Sequence, residues 1–319
     1  MGCGSSISTG PVGESMRYKH GKELGQGHFA KVVQVTDTKS GGQFAMKIID
    51  KKEMIAAQTE VKEEIDILQR VGKHPNIVSL VNSFEDDKEF FLVTELCSGG
   101  DLFSRIIENG HFSEKQAISV CKQLGQALEH IHSKGITHRD LKPENILMER
   151  EHELRVKVCD FGLSKLRRSK MKTVCGTWAY CAPEVISNKE YTSAVDCWTL
   201  GVLMYVLLSG YHPFDVYGDT PEPELLKRII EVTYDFDDPV WADVSEDAKN
   251  LIRALLVDDP ETRMTAAQYL KSAWVNSEGR ERHNSIVMAK LKGMNQAMSR
   301  RDLNAPSGKK DLGMNPLGK

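Results

Sequence analysis

The chain has 319 residues, a length that suggests about two core-forming units. Charged residues make up 27% and hydrophobic residues 40%, as in an ordinary globular protein, and a net charge of -3 argues against a general affinity for nucleic acid. The seven cysteines form no C-x-x-C pair and their number is odd, which disfavours a disulfide scaffold or zinc ribbon and points to a reducing, cytoplasmic compartment. No apolar run approaches ~18 residues, so no spanning helix is expected.

The chain opens Met1-Gly2-Cys3-Gly4-Ser5-Ser6, which fits the acceptor pattern for N-myristoylation of Gly2. Cys3 is adjacent and can take a palmitoyl group. One myristoyl chain binds membranes only marginally, so a second acyl chain is the physical complement. The alternative is an unmodified Gly/Ser-rich terminus. Residues 1–17 are expected to be a flexible segment that holds a cytoplasmic protein at a membrane.

Leu24-Gly25-Gln26-Gly27-His28-Phe29-Ala30 is a glycine-rich turn followed by a Val-rich alternating run, residues 31–36. A dinucleotide-binding turn would lead into a helix, and no G-x-x-x-x-G-K-[ST] segment exists. The turn therefore reads as a hairpin whose backbone can lie over phosphates. The next strand, residues 44–48, carries Lys47 among apolar residues, where a lysine is unfavourable unless paired. Glu63, Glu64 and Asp66 on the following helical stretch, 59–71, are the candidate partners; a lysine at a strand edge is the alternative. Residues 78–84 and 90–95 read as two further strands. Ser98-Gly99-Gly100-Asp101 then breaks the chain, which sets the boundary between a lobe of residues 18–97 and one of 98–275.

Ser113 with Gln116 has the spacing of a capping box opening a helix to residue 134. After it comes His138-Arg139-Asp140-Leu141-Lys142-Pro143-Glu144-Asn145, then a short apolar strand, 146–148. Phosphoryl transfer needs a carboxylate to receive the hydroxyl proton, a cation near the moving group and an amide oxygen for a metal. Asp140, Lys142 and Asn145 supply one of each. Between Asp160 and Glu184 the chain carries Lys165, Arg167, Arg168, Lys170 and Lys172 beside Thr173. A solvated basic loop is one reading. A phosphate on Thr173 is the other, since Arg139 next to Asp140 calls for a counter-anion. Helical patterns follow at residues 193–209, 222–232, 245–256 and 265–272. Residues 200–208 are almost all apolar, which predicts a helix buried on every side. Cys159, Cys175 and Cys197 read as small packing residues.

The tail, residues 276–319, places Val287, Leu291, Met294 and Met298 on one helical stripe, with Arg282, Lys290, Lys292, Arg300 and Arg301 around it. A basic helix with methionines suits the adaptable groove of calmodulin, although Gly293 weakens the helix and structural packing is the alternative. No EF-hand loop follows.

Taken in order, the Gly25 turn, Lys47, Asp140 to Asn145, Asp160-Phe161-Gly162 and Ala182-Pro183-Glu184 resemble the motif set of eukaryotic protein kinases over about residues 18–275. Gly99-Gly100-Asp101-Leu102-Phe103 and Cys175-Gly176-Thr177 resemble the calcium/calmodulin-dependent serine/threonine group. The resemblance implies an α+β, two-lobed fold: a small lobe with an antiparallel sheet and one main helix, and a larger helical lobe. It implies magnesium-ATP as phosphoryl donor. Lys47 would hold the α- and β-phosphates and pair with Glu64. Asn145 and Asp160 would hold magnesium, Asp140 would take the proton, and Lys142 would steady the γ-phosphate. Leu24, Gly25 and Gly27 would cover the nucleotide; Val32, Ala45 and Leu147 would enclose adenine; Thr94 stands at the gatekeeper position. Glu95 and Cys97 would offer backbone groups to adenine, and Asp101 a carboxylate to ribose. Glu144 and Asp101 would favour arginine or lysine N-terminal to the acceptor, and Thr177 would hydrogen-bond Asp140 and Lys142. Glu184 should pair with Arg263, and Asp196 should anchor the catalytic loop from a buried helix.

The family also implies an upstream activating kinase for Thr173 and a tail that rests on the large lobe. There, Arg282-His283-Asn284-Ser285 mimics a basic-directed substrate and makes Ser285 an autophosphorylation candidate. Two departures stand out: Ala30 replaces the third glycine of the turn, and Trp178-Ala179-Tyr180-Cys181 replaces the usual residues after Thr177. The rivals are a pseudokinase, which typically lacks one of Lys47, Asp140 or Asp160, and a small-molecule phosphotransferase, which needs no peptide groove.

Overall fold

The computed structural model describes residues 14–26, 30–51, 58–102, 104, 113–162, 164–166 and 178–279. The expectations for Gly2, Cys3, Gly27, Thr173, Thr177, Ser285 and the tail stripe lie outside them.

A five-stranded antiparallel sheet forms the small lobe: β1 (Tyr18–Gln26), β2 (Ala30–Asp37), β3 (Gln43–Asp50), β4 (Leu80–Glu85) and β5 (Glu89–Glu95), in the order β1-β2-β3-β5-β4. Register decides what faces what. Val32 lies opposite Lys47 and Lys47 opposite Leu92; Gln34 lies opposite Ala45 and Ala45 opposite Thr94. Side chains alternate along a strand, so these six share one face. The intervening residues Val33, Val35, Met46, Phe91 and Val93 form a separate small core with Tyr18 and Phe84 on the other face. The Tyr18, Phe84 and Phe91 rings stack in sequence, with centroids 5.9 and 4.8 Å apart.

Helix α1 (Gln58–Val71) crosses the cleft face of the sheet. Val61, Ile65 and Leu68 recur at helical spacing and are buried in the main core, which turns Glu64 inward with them.

The large lobe is mainly helical. Helix α2 (Glu114–Ser133) starts at the expected capping box: Ser113 Oγ accepts from the Gln116 N–H, and Gln116 returns the bond to the Ser113 N–H. Two short ribbons follow, β6 (Ile136–Thr137) with β9 (Lys165–Leu166), and β7 (Ile146–Met148) with β8 (Val156–Val158). Then come α3 (Pro183–Ile186), α4 (Ala194–Ser209), α5 (Glu222–Ile230), α6 (Glu246–Leu255) and α7 (Ala266–Tyr269). Every residue of α4 from Val195 to Ser209 is buried, as its composition predicts, and the helix stops at Gly210, whose φ of 81° suits glycine. The stretch expected to be helical to residue 272 is only one turn. Asn276 Nδ2 donates to the Leu270 and Ser272 carbonyls at 2.8 and 2.9 Å, so the chain closes on itself instead of continuing. Glu184 and Arg263 form the expected pair, with bonds of 2.7 and 2.9 Å in full burial. Among the described residues, no helix is long and apolar enough to cross a membrane.

Candidate active site

The cleft between the lobes is lined from above by Leu24, Gly25, Val32, Ala45, Lys47, Glu64 and Thr94, and from below by Glu144, Asn145, Leu147 and Asp160. Glu95, Cys97 and Asp101 line its rear edge. Fourteen residues singled out from the sequence therefore meet in one cavity, although they come from both lobes.

Lys47 Nζ lies 2.9 and 3.0 Å from the two Glu64 carboxylate oxygens and 3.3 Å from Asp160 Oδ1. Burial alone would lower the Lys47 pKa, but Glu64 and then Asp160 hold it above the ordinary lysine value. Burial opposes the charge on Asp160 as well, and Lys47 prevails, keeping that carboxyl below its usual range. Of the three candidates on α1, Glu64 is thus the partner of Lys47, while Asp66 pairs with Arg70 one turn on.

Asp140 is 8% exposed. Its Oδ2 accepts from Lys142 Nζ and from Asn145 Nδ2, both at 3.1 Å, and Asn145 Nδ2 also donates to the Asp140 carbonyl at 2.8 Å. Burial disfavours the Lys142 charge, and Asp140 more than offsets this, so the ammonium form is held. With Nδ2 committed to Asp140, the Asn145 amide presents its oxygen as the free end.

This loop is strained and held. Arg139 and Asp160 have φ of 73° and 60°, values that non-glycine residues seldom adopt. Asp196, inside α4, accepts from the backbone N–H of His138 and of Arg139, both at 2.9 Å. Its Oδ2 also bonds His132 Nε2 at 2.8 Å. His138 reaches the Cys159 carbonyl at 3.1 Å and packs edge-on against Phe161, 4.8 Å between centroids, so the same histidine touches the strand end that carries Asp160. The sequence reading gave no role to His132, or to His138 although it opens the catalytic stretch; the only available signal was an imidazole on each side of Ile136-Thr137. The Arg139 guanidinium lies over the Tyr191 ring, 5.6 Å from its centroid.

At the rear, Asp101 makes bonds that the sequence did not announce. Its two oxygens accept from Ser104 N at 2.9 Å and Ser104 Oγ at 2.6 Å, so the carboxylate is engaged in a local turn. Cys97 is an inert thiol: burial and the neighbouring Glu95 push its pKa up to about 12. Gly99 explains the narrow passage to the large lobe. A Cβ there would stand 2.6 Å from Met148 Cβ and 2.7 Å from the Arg150 carbonyl.

Comparison with known proteins agrees with this geometry. The protein kinase domain profile matches residues 18–275. The chain is 43% identical over 263 residues to calcium/calmodulin-dependent protein kinase type 1B of Homo sapiens, covering 82% of this chain and 76% of that protein. It is 44% identical over 263 residues to a probable myosin light chain kinase of Dictyostelium discoideum, covering 81% and 74%. A second such Dictyostelium kinase is 43% identical over 272 residues, covering 83% and 84%. The paired lysine, the clamped carboxylate and the match across both lobes have one common reading: the chain belongs to the protein kinase family, as a serine/threonine kinase of the calcium/calmodulin-dependent kinase group.

Proposed function

We propose that the chain transfers the γ-phosphoryl group of ATP to serine or threonine hydroxyls in peptides with arginine or lysine upstream of the acceptor. The observation that carries this reading is the convergence on one cleft of the Lys47–Glu64–Asp160 contact and the Asp140–Lys142–Asn145 contact.

In this reading Lys47, oriented by Glu64, meets the α- and β-phosphates. The Asp140 carboxylate accepts the proton as the substrate oxygen bonds to Pγ and the bond from Pγ to the ADP oxygen breaks. Lys142 faces the charge on the three transferring oxygens. Asp160 and Asn145 suit magnesium: an ionised carboxylate and an amide oxygen are hard donors. Bound there, magnesium supplies charge neutralisation across the phosphates. Val32, Ala45 and Leu147 enclose adenine, the Glu95 and Cys97 backbone reads its edge, and Leu24, Gly25 and Gly27 cover it. Asp101 contributes to ribose or substrate only if its bonds to Ser104 give way. Glu144, exposed at the cleft mouth, is the better placed of the two for a basic substrate residue.

Control is assigned to three segments. Phosphate on Thr173, added by an upstream kinase, orders the activation segment. The tail blocks the substrate groove and is released by calmodulin; similarity to calcium/calmodulin-dependent protein kinase type 1B supports this. Acyl groups on Gly2 and Cys3 hold the cytoplasmic enzyme at a membrane.

Asp140→Asn and Asp160→Asn test the site. Each should abolish transfer from ATP to a basic serine peptide while leaving the unfolding midpoint unchanged, and Asp160→Asn should also remove magnesium-dependent nucleotide binding. Near-normal turnover in either folded variant refutes the assignment. Removing the chain after Val275 should raise basal activity and end any response to calmodulin; no change in either makes the tail a linker. Gly2→Ala should move the protein from the membrane to the soluble fraction, and unchanged fractionation removes the lipid reading.

A further inference from the structure

A buried lysine behind the cleft has no place in the mechanism above. Lys157, in the middle of β8, is 5% exposed. Its Nζ lies 3.0 and 3.1 Å from the two oxygens of Glu95, the last residue of β5. The same carboxylate accepts from the Ser79 backbone N–H at 2.7 Å, ahead of β4. One carboxylate therefore joins three elements: the edge of the small-lobe sheet, the start of the connection between lobes, and a ribbon of the large lobe.

What Lys157 is attached to gives this joint its meaning. It lies opposite Leu147 in the β7–β8 register. Asn145 precedes β7, Asp160 follows β8, and the Cys159 N–H donates to the Asn145 carbonyl at 2.9 Å. The ribbon thus carries the adenine floor and both proposed magnesium ligands. Glu95 carries the first backbone group proposed to read adenine. Backbone bonds, with one long bond from Ser98 Oγ to the Glu149 carbonyl, link the ribbon and its end to residues 98–100, past the reading edge. The Lys157–Glu95 bridge is the side-chain link that reaches Glu95 itself.

We propose that Lys157 is a positioning residue for the nucleotide. By holding the Glu95 carboxylate from behind, it fixes the backbone of residues 95–97 at a set height above Leu147, so the adenine slot is formed before ATP arrives. This rests on the cleft being the ATP site. A preformed slot affects ATP binding more than the transfer step, because Lys157 touches none of the reacting groups. Burial without a partner is unfavourable for an ammonium, so a lysine is retained here only with Glu95 in place.

The test uses the full chain with ATP and a serine peptide bearing upstream arginines. Lys157→Met should raise KM for ATP about five- to tenfold while kcat at saturating ATP stays within about twofold. Lys157→Arg, which can still reach the carboxylate, should recover most of the loss. Glu95→Gln should raise KM similarly, and the double variant Lys157→Met/Glu95→Gln should be no worse than either single one. If Lys157→Met does not fold, the double variant decides, since it leaves no buried charge alone: raised KM upholds the proposal and wild-type KM overturns it. A fall in kcat and unfolding midpoint with KM unchanged also overturns it, leaving a stability role only. Wild-type chain that transfers no phosphate from ATP overturns the nucleotide reading and this inference with it; an active wild type with unmoved variants overturns this inference alone.

Discussion

Replacing Glu184 by alanine leaves one buried charge without its counter-ion. The Arg263 side chain is 0% exposed and that of Glu184 3%. The mutation removes two charge-assisted bonds, at 2.7 and 2.9 Å, and leaves the guanidinium where it was. Arg263 would keep its bonds to the carbonyls of Ala194, Val257 and Asp258, which satisfy its donors but not its charge. Breaking a buried pair from one side typically destabilises by about 3–5 kcal/mol. For a domain of this size each kcal/mol shifts the unfolding midpoint by about 2–4 °C, so a fall of roughly 6–20 °C is expected. Urea titration of the purified chain, followed by tryptophan fluorescence, measures the same quantity without aggregation from heating. Trp198, one of four tryptophans, lies beside the pair, with the Arg263 guanidinium 5.2 Å from its ring centroid. Replacing both residues by apolar ones, Glu184→Leu with Arg263→Met, should recover at least half of the loss, because no lone charge remains. A loss below about 1 kcal/mol for Glu184→Ala, or a double variant worse than the single one, would falsify the argument that an uncompensated charge dominates.

Three further outcomes can be checked. Burial pushes His132 down, but its hydrogen bond with Asp196 prevails and lifts the pKa from 6.5 to about 9. The stability this pair adds is complete below pH 6.5 and is lost as pH rises through 9, an effect of order 1–3 kcal/mol that His132→Phe should abolish; a wild-type stability flat across that range contradicts it. Gly201→Ala places a Cβ 2.8 Å from Leu255 Cβ and 2.9 Å from Leu256 Cδ2. Overpacking of about 1–3 kcal/mol should outweigh the ~1 kcal/mol gained in helix propensity, and a stabilised variant would show that α4 and α6 can separate freely. Thr173→Ala should lower activity at least about tenfold, with phosphate on Thr173 found by mass spectrometry of active enzyme; full activity removes this residue as the switch.

The parts of the site that were legible in the sequence are those where a local rule forces the answer. A lysine on an apolar strand calls for a partner, which left Glu63, Glu64 and Asp66 open; the family resemblance chose Glu64, and the burial of Val61 and Leu68 shows why it faces inward. The apolar run in α4 could only be a helix buried all round, and the Ser113 capping box gave the start of α2. Other features depend on contacts that no window of sequence contains. Lys157 and Glu95 are 62 positions apart, and His132 and Asp196 64. Neither distance leaves a periodic trace. Left-handed backbone is announced by glycine, asparagine or aspartate, so its occurrence at Arg139 is silent until the chain is folded. Asp101 was legible as a carboxylate near the cleft, but not its capture by Ser104, which hinges on a turn that only the fold closes.

The strained loop raises the question of what keeps Asp140 in position before substrate arrives. A non-glycine residue in left-handed backbone costs about 1–3 kcal/mol. The two backbone N–H groups that Asp196 receives from His138 and Arg139 are bonds to a charge, each about 1.5–3 kcal/mol. Together they exceed the strain at Arg139, and His132 keeps Asp196 ionised despite its burial: the carboxyl is held below its usual range although burial itself acts the other way. The loop geometry is therefore set from within the core, by a side chain on a helix with no solvent face. Asp140 inherits a fixed position, and its hydrogen bonds to Lys142 and Asn145 need no reorganisation when charge develops. On this argument a phosphate on Thr173 has little to do to the Asp140 loop itself. Its effect should fall on substrate KM, leaving the environment of Asp140 unchanged.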